Sequence, residues 1–259
     1  MITLINLTFK QWLRRAIYRM GAGSVVGWFM QRRRSAPVHE TAEYWNQELS
    51  GRMSTPNLNG RVSNALRDTT AAVLIRLCGP EPQAVLDIGC GFGDLAHALA
   101  DQGMRRYVGV DLSDFVIKRA NEQRTTWSNL RHCDLSFQHA DLRAFSPNNG
   151  DVFDLIVFNE VLKYIGVDET VEQLRRYQQW LSPTGLLCVN FSDDSKSRAI
   201  LRALDAKFEW VYGVIYQQQP NDMRFKLSAD NATPPYLLGL FRRLATASQI
   251  DPNDPTILD

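Results

Sequence analysis

The sequence predicts an α/β fold: a seven-stranded, mostly parallel sheet with helices on both faces, preceded by an N-terminal helical extension. From residue 84 onward, short apolar runs alternate with segments of helical periodicity, which is typical of parallel strands joined by crossover helices. The first run, Val85 to Ile88, leads into a turn with glycines at 89, 91 and 93 and then into a helical pattern. The charge also changes along the chain, since the first 34 residues hold seven Lys or Arg and no Asp or Glu.

The predicted elements follow from periodicity and from turn residues. Apolar runs of strand length lie at 84–88, 106–111, 134–138, 153–158, 185–191, 208–216 and 236–243. Helical patterns lie at 39–49, 67–77, 93–102, 114–124, 168–181 and 195–206, and the glycine- and asparagine-containing stretch 51–62 is predicted to be a loop. We therefore divide the chain into an arm with a lid helix (1–60), a central domain (61–245) and a C-terminal tail (246–259).

The basic N-terminal segment has helical periodicity. Its apolar positions face one way and its basic positions the other, the apolar set being Phe9, Trp12, Leu13, Ala16, Ile17 and Met20. One interpretation is that this helix lies on an anionic membrane surface, with membrane contact through residues 9–34. The other is a helix that covers the central domain or a partner in a homodimer. The basic residues interrupt the apolar stretch, which disfavours a cleaved signal peptide.

Composition excludes several classes of protein. A net charge of +1 over 259 residues gives no global field of the kind that marks a nucleic-acid binder. The four cysteines are widely spaced and form no C-x-x-C pair, so no metal site is predicted and the thiols are expected to be reduced. No apolar run reaches the length of a transmembrane helix. We expect a cytoplasmic protein, with peripheral contact to the inner face of the membrane left open.

The glycine turn indicates a nucleotide-like ligand and narrows its type. A strand that enters a glycine-rich turn before a helix N-terminus lets a ligand approach the backbone closely. A dinucleotide fingerprint would need a glycine at position 94, where Asp94 stands, and the Gly-Lys-Ser/Thr ending of a phosphate-binding loop is missing. The spacing therefore disfavours ligands bound through a pyrophosphate.

The same turn resembles motif I of the class I S-adenosyl-L-methionine (SAM)-dependent methyltransferases. Four further segments continue the resemblance in the family's order and spacing: Val108–Asp111, Ala140–Leu142, Phe153–Leu162 and Leu181–Leu187, the last with Thr184 where glycine is commoner. Together the five motifs cover roughly residues 84–191. The resemblance implies a Rossmann-like sheet whose seventh strand runs antiparallel, SAM as the cofactor and S-adenosyl-L-homocysteine (SAH) as its product.

The resemblance also assigns roles to individual residues. It implies that the turn binds the methionine part of SAM, that the acid ending the second strand binds the ribose, and that an acid and two leucines hold the adenine. Asn159 would line the path beside the sulfonium. The residues so implied for cofactor binding are Asp87, Gly89, Cys90, Gly91, Asp111, Leu112, Asp141, Leu142 and Asn159.

The residues that would act on the acceptor are harder to identify. Methyl transfer from a sulfonium is an in-line displacement, so a protein mainly positions the reactants, although a hydroxyl acceptor benefits from a base. Our catalytic candidates are His39, Glu160 and Tyr164, with Tyr44, Lys163, Trp210 and Tyr216 as further pocket candidates. For each of them a structural or lid role is the competing interpretation. Aromatic side chains on the helix predicted at 39–49 could shield the methyl group from water.

Missing motifs narrow the acceptor class. Adenine and glutamine amino-methyltransferases carry Asn/Asp-Pro-Pro-Tyr/Phe after the fourth strand, and this chain has Asn159-Glu160-Val161-Leu162 there. The loop resembles that of the family's small-molecule branch, so we expect a small molecule or a glycan to be methylated on oxygen or nitrogen and disfavour nucleic acid. Two alternatives remain open: a non-catalytic SAM-binding partner subunit, and an RNA methyltransferase that docks through its basic arm.

Overall fold

The computed structural model describes residues 41–54, 71–73, 75–76, 81–100, 103–192, 194–205, 207–219, 222–226 and 236–242. The chain divides into two compact units, Met1–Thr41 and Ala42–Asp259, and the elements below belong to the second. The basic segment 9–34, with its predicted amphipathic helix, and the candidate base His39 lie outside the described residues. Membrane contact, a homodimer and a cytoplasmic location therefore stay predictions.

Five helices and eight strands form the described part of the second unit. The helices are α1 (Ala42–Ser54), α2 (Asp94–Leu99), α3 (Asp114–Gln123), α4 (Val167–Tyr177) and α5 (Ser195–Asp205). The strands are β1 (Ala84–Ile88), β2 (Arg106–Asp111), β3 (Asp134–His139), β4 (Phe153–Asn159), β5 (Leu181–Ser192), β6 (Glu209–Gln219), β7 (Asp222–Lys226) and β8 (Tyr236–Arg242). Residues 71–73, 75 and 76 are also helical, and a short 3-10 helix, Leu162–Tyr164, follows β4.

The strands form one sheet in the order β3-β2-β1-β4-β5-β8-β6-β7. Strands β1 to β5 pair in parallel, whereas β8 is antiparallel to both β5 and β6. This confirms the mostly parallel Rossmann-like sheet and the antiparallel last strand. Two details differ from the sequence prediction. Strand β8 is inserted between β5 and β6 instead of closing the sheet, and β7 is an additional edge strand that pairs with β6.

The two faces of the sheet carry separate hydrophobic cores. On β1, Val85 belongs to the core under α2 and α3, while Leu86 and Ile88 belong to the core under α4 and α5. Alternate residues of a strand point to opposite faces, so a run that is apolar throughout is buried on both sides. The predicted helices on both faces are therefore confirmed.

Gly109 in β2 leaves room for an aromatic cluster beneath the sheet. A Cβ at this position would lie 2.6 Å from Cδ1 of Phe137 and 2.9 Å from Sγ of Cys90. The Phe137 ring also contacts the rings of Tyr107 and Trp127, so it has little freedom to move aside.

We expect Gly109→Ala to lower the free energy of unfolding by about 1–3 kcal/mol because it overpacks this cluster. Urea denaturation measures the loss. The matched control is the double variant with Phe137→Ala, which removes the clashing ring atoms, so the two losses should be less than additive. Strictly additive losses would contradict the steric explanation.

Candidate cofactor site and acceptor side

The predicted site residues meet at one edge of the sheet. In a parallel sheet the carboxyl ends of the strands lie side by side, and open α/β sheets bind ligands there. The register aligns Ile88 with Val110 and Phe158, Asp111 with His139, and Asn159 with Asn190. We call the edge of the sheet where these parallel strands end the carboxyl edge. The glycine turn after β1 lies between the segments that follow β2 and β4.

The glycine turn is held to the neighbouring strand by its backbone. The N–H groups of Gly89 and Cys90 both donate to the carbonyl of Val110, at 2.7 and 3.0 Å. Gly89, Gly91 and Gly93 have φ values of 76°, 53° and 81°, in the left-handed region that glycine adopts at little cost. A local backbone of this kind is what the G-x-G-x-G spacing predicts.

The three glycines are required for different reasons. A Cβ at Gly89 would lie 2.9 Å from Cβ of Val161, and one at Gly93 would lie 2.7 Å from Cζ of Phe137. At Gly91, among the described residues and apart from its two chain neighbours, no atom lies within 4 Å of the Cβ position. Gly89 and Gly93 therefore serve internal packing, and Gly91 is the glycine of this turn that faces open space.

Asp111 joins the end of β2 to the glycine turn. Its Oδ2 accepts the N–H of Gly91 at 3.0 Å, and its Oδ1 accepts the N–H of Ser113 at 2.9 Å. Burial raises the pKa of this carboxyl, and the two N–H donors oppose the rise. Each carboxylate oxygen can accept more than one hydrogen bond, so the group can also take the ribose hydroxyls that the resemblance assigns to it.

Asp87 and Cys90 support the turn from below. Asp87 is buried, and its Oδ2 accepts the hydroxyl of Tyr107 on β2. The Cys90 side chain is buried in the core shared with α2 and α3. Both side chains hold the strand and turn in place, so a ligand contact from Cys90 would come from its backbone.

The segment after β3 presents the acid predicted to contact the adenine. Asp141 Oδ1 accepts the N–H of Arg143 at 2.8 Å, and Arg143 Nη1 lies 3.5 Å from Oδ2. About a third of the Asp141 side chain remains exposed. Leu112 and Leu142 are half-buried beside this segment. The structure thus brings Asp141, Leu112 and Leu142 to the carboxyl edge beside Asp111, as predicted.

Asn159 and Glu160 end β4 on the other side of the glycine turn. Asn159 is buried, and its Oδ1 accepts the Nδ2 of Asn190 at 2.9 Å. Glu160 has φ 63°, a left-handed value that no other described non-glycine residue adopts. Its Oε1 accepts the N–H of Ser192 at 2.7 Å, and its Oε2 pairs with the Lys163 ammonium. These contacts favour a structural clamp over a free general base. The sequence did not reveal Asn190 or Ser192, because their roles depend on the pairing of β4 with β5.

Helix α1 bridges the segments that follow β2 and β4. Its Trp45 ring packs edge-on against Tyr164, with the centroids 4.8 Å apart. Its Asn46 Oδ1 accepts the Ser113 hydroxyl at 2.6 Å, and its Nδ2 donates to Asp114. Both contacts lie next to the glycine turn, so α1 occupies the place predicted for a lid helix.

One candidate position is wrong. Trp210 lies near the beginning of β6, opposite Phe241, whereas the carboxyl-edge row of that strand is at Tyr216, opposite Tyr236. The Trp210 ring packs against Phe241 and is 40% exposed. The aromatic side chain therefore lies toward the amino ends of the parallel strands, away from the proposed pocket. Sequence position alone did not reveal where along β6 the edge falls.

The described residues contain neither a membrane-spanning helix nor a cluster of metal ligands. None of the described helices is long and apolar enough to cross a membrane. Nowhere in the described part of the chain do three or more His, Cys, Asp or Glu side chains come close enough to hold a metal ion.

Comparison with known proteins identifies the domain. Residues 85–185 match the family described as a methyltransferase domain, and this stretch runs from β1 into β5. The segment 85–185 therefore belongs to the methyltransferase-domain family, and it carries the motifs that resemble the class I SAM-dependent enzymes. SAM is the cofactor of this family, and the residues present fit it. Gly91 faces open space, and the Asp111 and Asp141 carboxylates stand at the ends of the adjoining strands.

The chain spans about half the length, or less, of the curated relatives described here. It is 28% identical over 129 residues to the trans-aconitate 2-methyltransferase of Paracidovorax citrulli, covering 49% of this chain and 46% of that protein. It is 29% identical to the malonyl-[acyl-carrier protein] O-methyltransferase of Halalkalibacterium halodurans, over 41% of this chain and 38% of the relative. The match thus spans less than half of either relative.

Solved structures share the fold more widely. The magnesium protoporphyrin IX methyltransferase of Synechocystis PCC 6803, solved with bound SAM, superposes with a TM-score of 0.57. The superposition covers 78% of this chain and 94% of that chain, at 19% identity. At this identity the likeness shows the fold of the chain alone.

Proposed function

We propose that this chain transfers a methyl group from SAM to an oxygen or nitrogen atom of a small molecule or glycan. The observation that carries the proposal is the open space in front of Gly91, whose own N–H is bound by the Asp111 carboxylate. Because Gly91 has no side chain, a ligand can lie against its backbone. The buried Asp111 carboxylate beside it can bind a pair of hydroxyls, such as those of a ribose.

The chain's residues would bind, orient and shield the reactants. Bound SAM supplies an electrophilic methyl group on a sulfonium, and transfer of that methyl group leaves a neutral thioether. Asp111 would hold the ribose and Asp141 the adenine amino group, which fixes the direction in which the methyl points. The Trp45–Tyr164 contact would exclude water from the side facing α1. Glu160 would keep the loop after β4 in place while the acceptor binds beside it.

The loop after β4 supports a small acceptor. It lacks the Pro-Pro segment of the amino-methyltransferases that act on bases and glutamine, and it folds into a 3-10 helix at Leu162–Tyr164. The names of two relatives support the same class, because trans-aconitate is a small organic acid and the malonyl group is a short acyl group, whereas a third relative is named a putative protein N5-glutamine methyltransferase. An acceptor screen with labelled SAM identifies the molecule that this chain methylates.

We expect Asp111→Asn to weaken SAH binding about 10- to 100-fold, because hydrogen bonds to a charged group are lost. Isothermal calorimetry with purified protein measures the dissociation constant. The matched control is Asp151→Asn, the same change at an acid that pairs with Arg106 at the amino end of β4, and it should bind SAH normally.

Two outcomes would contradict the proposal. Failure of the unaltered protein to bind either SAM or SAH would remove the proposed cofactor. Equal affinity in the Asp111→Asn and Asp151→Asn variants would remove the proposed ribose contact.

A further inference from the structure

A single guanidinium holds the segment that carries the adenine acid. Arg176 lies at the end of α4, and its Nη2 donates to the carbonyls of Leu142 and Phe145, each at 2.7 Å. Its Nη1 donates to the carbonyl of Arg143. One side chain therefore binds three backbone carbonyls within four residues. The planar fork of arginine can make such contacts together, whereas a lysine ammonium is a compact point charge.

Neighbouring groups contact this guanidinium or bind the same segment. The Tyr177 hydroxyl donates to the same Leu142 carbonyl at 2.8 Å. The rings of Tyr177 and Trp180 lie 5.0 and 5.6 Å from the Arg176 guanidinium carbon, within the range of cation–π contact. The Arg143 side chain bonds Glu169, also on α4, and this contact lowers the pKa of the Glu169 carboxyl. Helix α4 thus binds the segment through several independent contacts.

The contacts of Arg176 set the direction of Asp141. The Asp141 carbonyl accepts the N–H groups of Ala144 and Phe145, at 3.0 and 2.8 Å, which makes residues 141–145 a compact turn. The Asp141 carboxylate then accepts the N–H of Arg143 inside the same turn. The carboxylate is oriented by the backbone of this turn, and that backbone is held by Arg176.

We infer that Arg176 is a positioning residue for adenine recognition: it holds the 141–145 turn so that Asp141 meets the exocyclic amino group of the cofactor. The inference rests on the proposed function, since it needs SAM as the ligand. Arg176 itself touches carbonyls of the chain, so its effect on the ligand passes through Asp141. It should therefore control selectivity for the adenine amino group and leave the methionine and ribose contacts unchanged.

The test compares two ligands that differ at that amino group. SAH carries the amino group, and S-inosylhomocysteine carries an oxo group in its place. Calorimetry on the unaltered protein should show a preference for SAH of about tenfold or more, because Asp141 accepts a hydrogen bond that the oxo group cannot donate. In Arg176→Lys the dissociation constant for SAH should rise about tenfold while that for S-inosylhomocysteine stays nearly constant, so the preference is lost.

Control variants separate positioning from general stability. Arg175→Lys changes the exposed neighbour on α4 and should keep both affinities. Tyr177→Phe removes one hydroxyl donor to Leu142 and should reduce the preference by a smaller factor. It also provides a test that remains valid if Arg176→Lys does not fold.

The possible results are distinct. A preference that survives in both Arg176→Lys and Tyr177→Phe, or an equal loss of affinity for both ligands, overturns the inference. An unaltered protein that binds both ligands equally overturns it too, because Asp141 then does not read the amino group. An unaltered protein that binds neither ligand overturns the proposed function instead.

Discussion

Replacing Gly91 with leucine is expected to weaken SAH binding at least 100-fold, whereas the same replacement at Gly150 leaves binding intact. Both glycines have left-handed backbones, with φ values of 53° and 86°, and at both of them the Cβ position is open. Each variant should therefore lose a similar stability, about 1–2 kcal/mol, because leucine disfavours positive φ. Only at Gly91 does the new side chain enter the space proposed for the cofactor.

The pair of glycines makes this a matched experiment. Gly150 lies in the turn just before β4, at the amino ends of the parallel strands, so a side chain there is far from the carboxyl edge. Thermal or urea unfolding compares the stabilities, and calorimetry with SAH compares the affinities. Similar affinities in the two variants would show that the space before Gly91 is not where the cofactor binds.

The sequence predicted the central parallel strands β1, β2, β4 and β5 well because they are buried on both faces, unlike the largely exposed edge strand β3. A run such as Phe153 to Phe158 is apolar almost throughout, and such runs have few alternatives to a central strand. Strand β7 is different, since its residues, Asp222–Lys226, are mostly polar and it pairs with β6 at the edge of the sheet. The position of β8 between β5 and β6 depends on pairing with strands that are distant in the sequence, which no local pattern encodes.

The same distinction applies within the site. The motif positions could be predicted because a strand that ends in an acid or in glycines leaves a local pattern. No local pattern separates Gly91 from Gly89 and Gly93, since the difference lies in Val161 and Phe137, which come from other strands and loops. The roles of Arg176, Asn46 and Asn190 could not be predicted for a related reason. Each one contacts residues 30 or more positions away along the chain.

Replacing Glu160 with alanine is expected to lower the free energy of unfolding by about 3 kcal/mol. The Ser192 N–H would lose its acceptor, and the partly buried Lys163 ammonium would lose its counter-charge. Glu160→Gln retains an acceptor oxygen and should cost clearly less. The control is Glu122→Ala, which removes the acid of another pair three residues apart, with Arg119, on an exposed surface. That change should stay within about 0.5 kcal/mol.

The backbone of Glu160 adds a second expectation that separates the side chain from the conformation. The glycine and alanine variants both lack the carboxylate, but glycine accepts a φ of 63° more readily than alanine. Glu160→Gly should therefore be about 1 kcal/mol more stable than Glu160→Ala. Urea denaturation of the four variants measures both effects. Equal stability of the glycine and alanine variants would mean that the left-handed backbone costs nothing at this position. A backbone that does cost free energy, held by a buried carboxylate beside the proposed acceptor pocket, indicates that the loop after β4 is shaped for its ligand at the expense of stability.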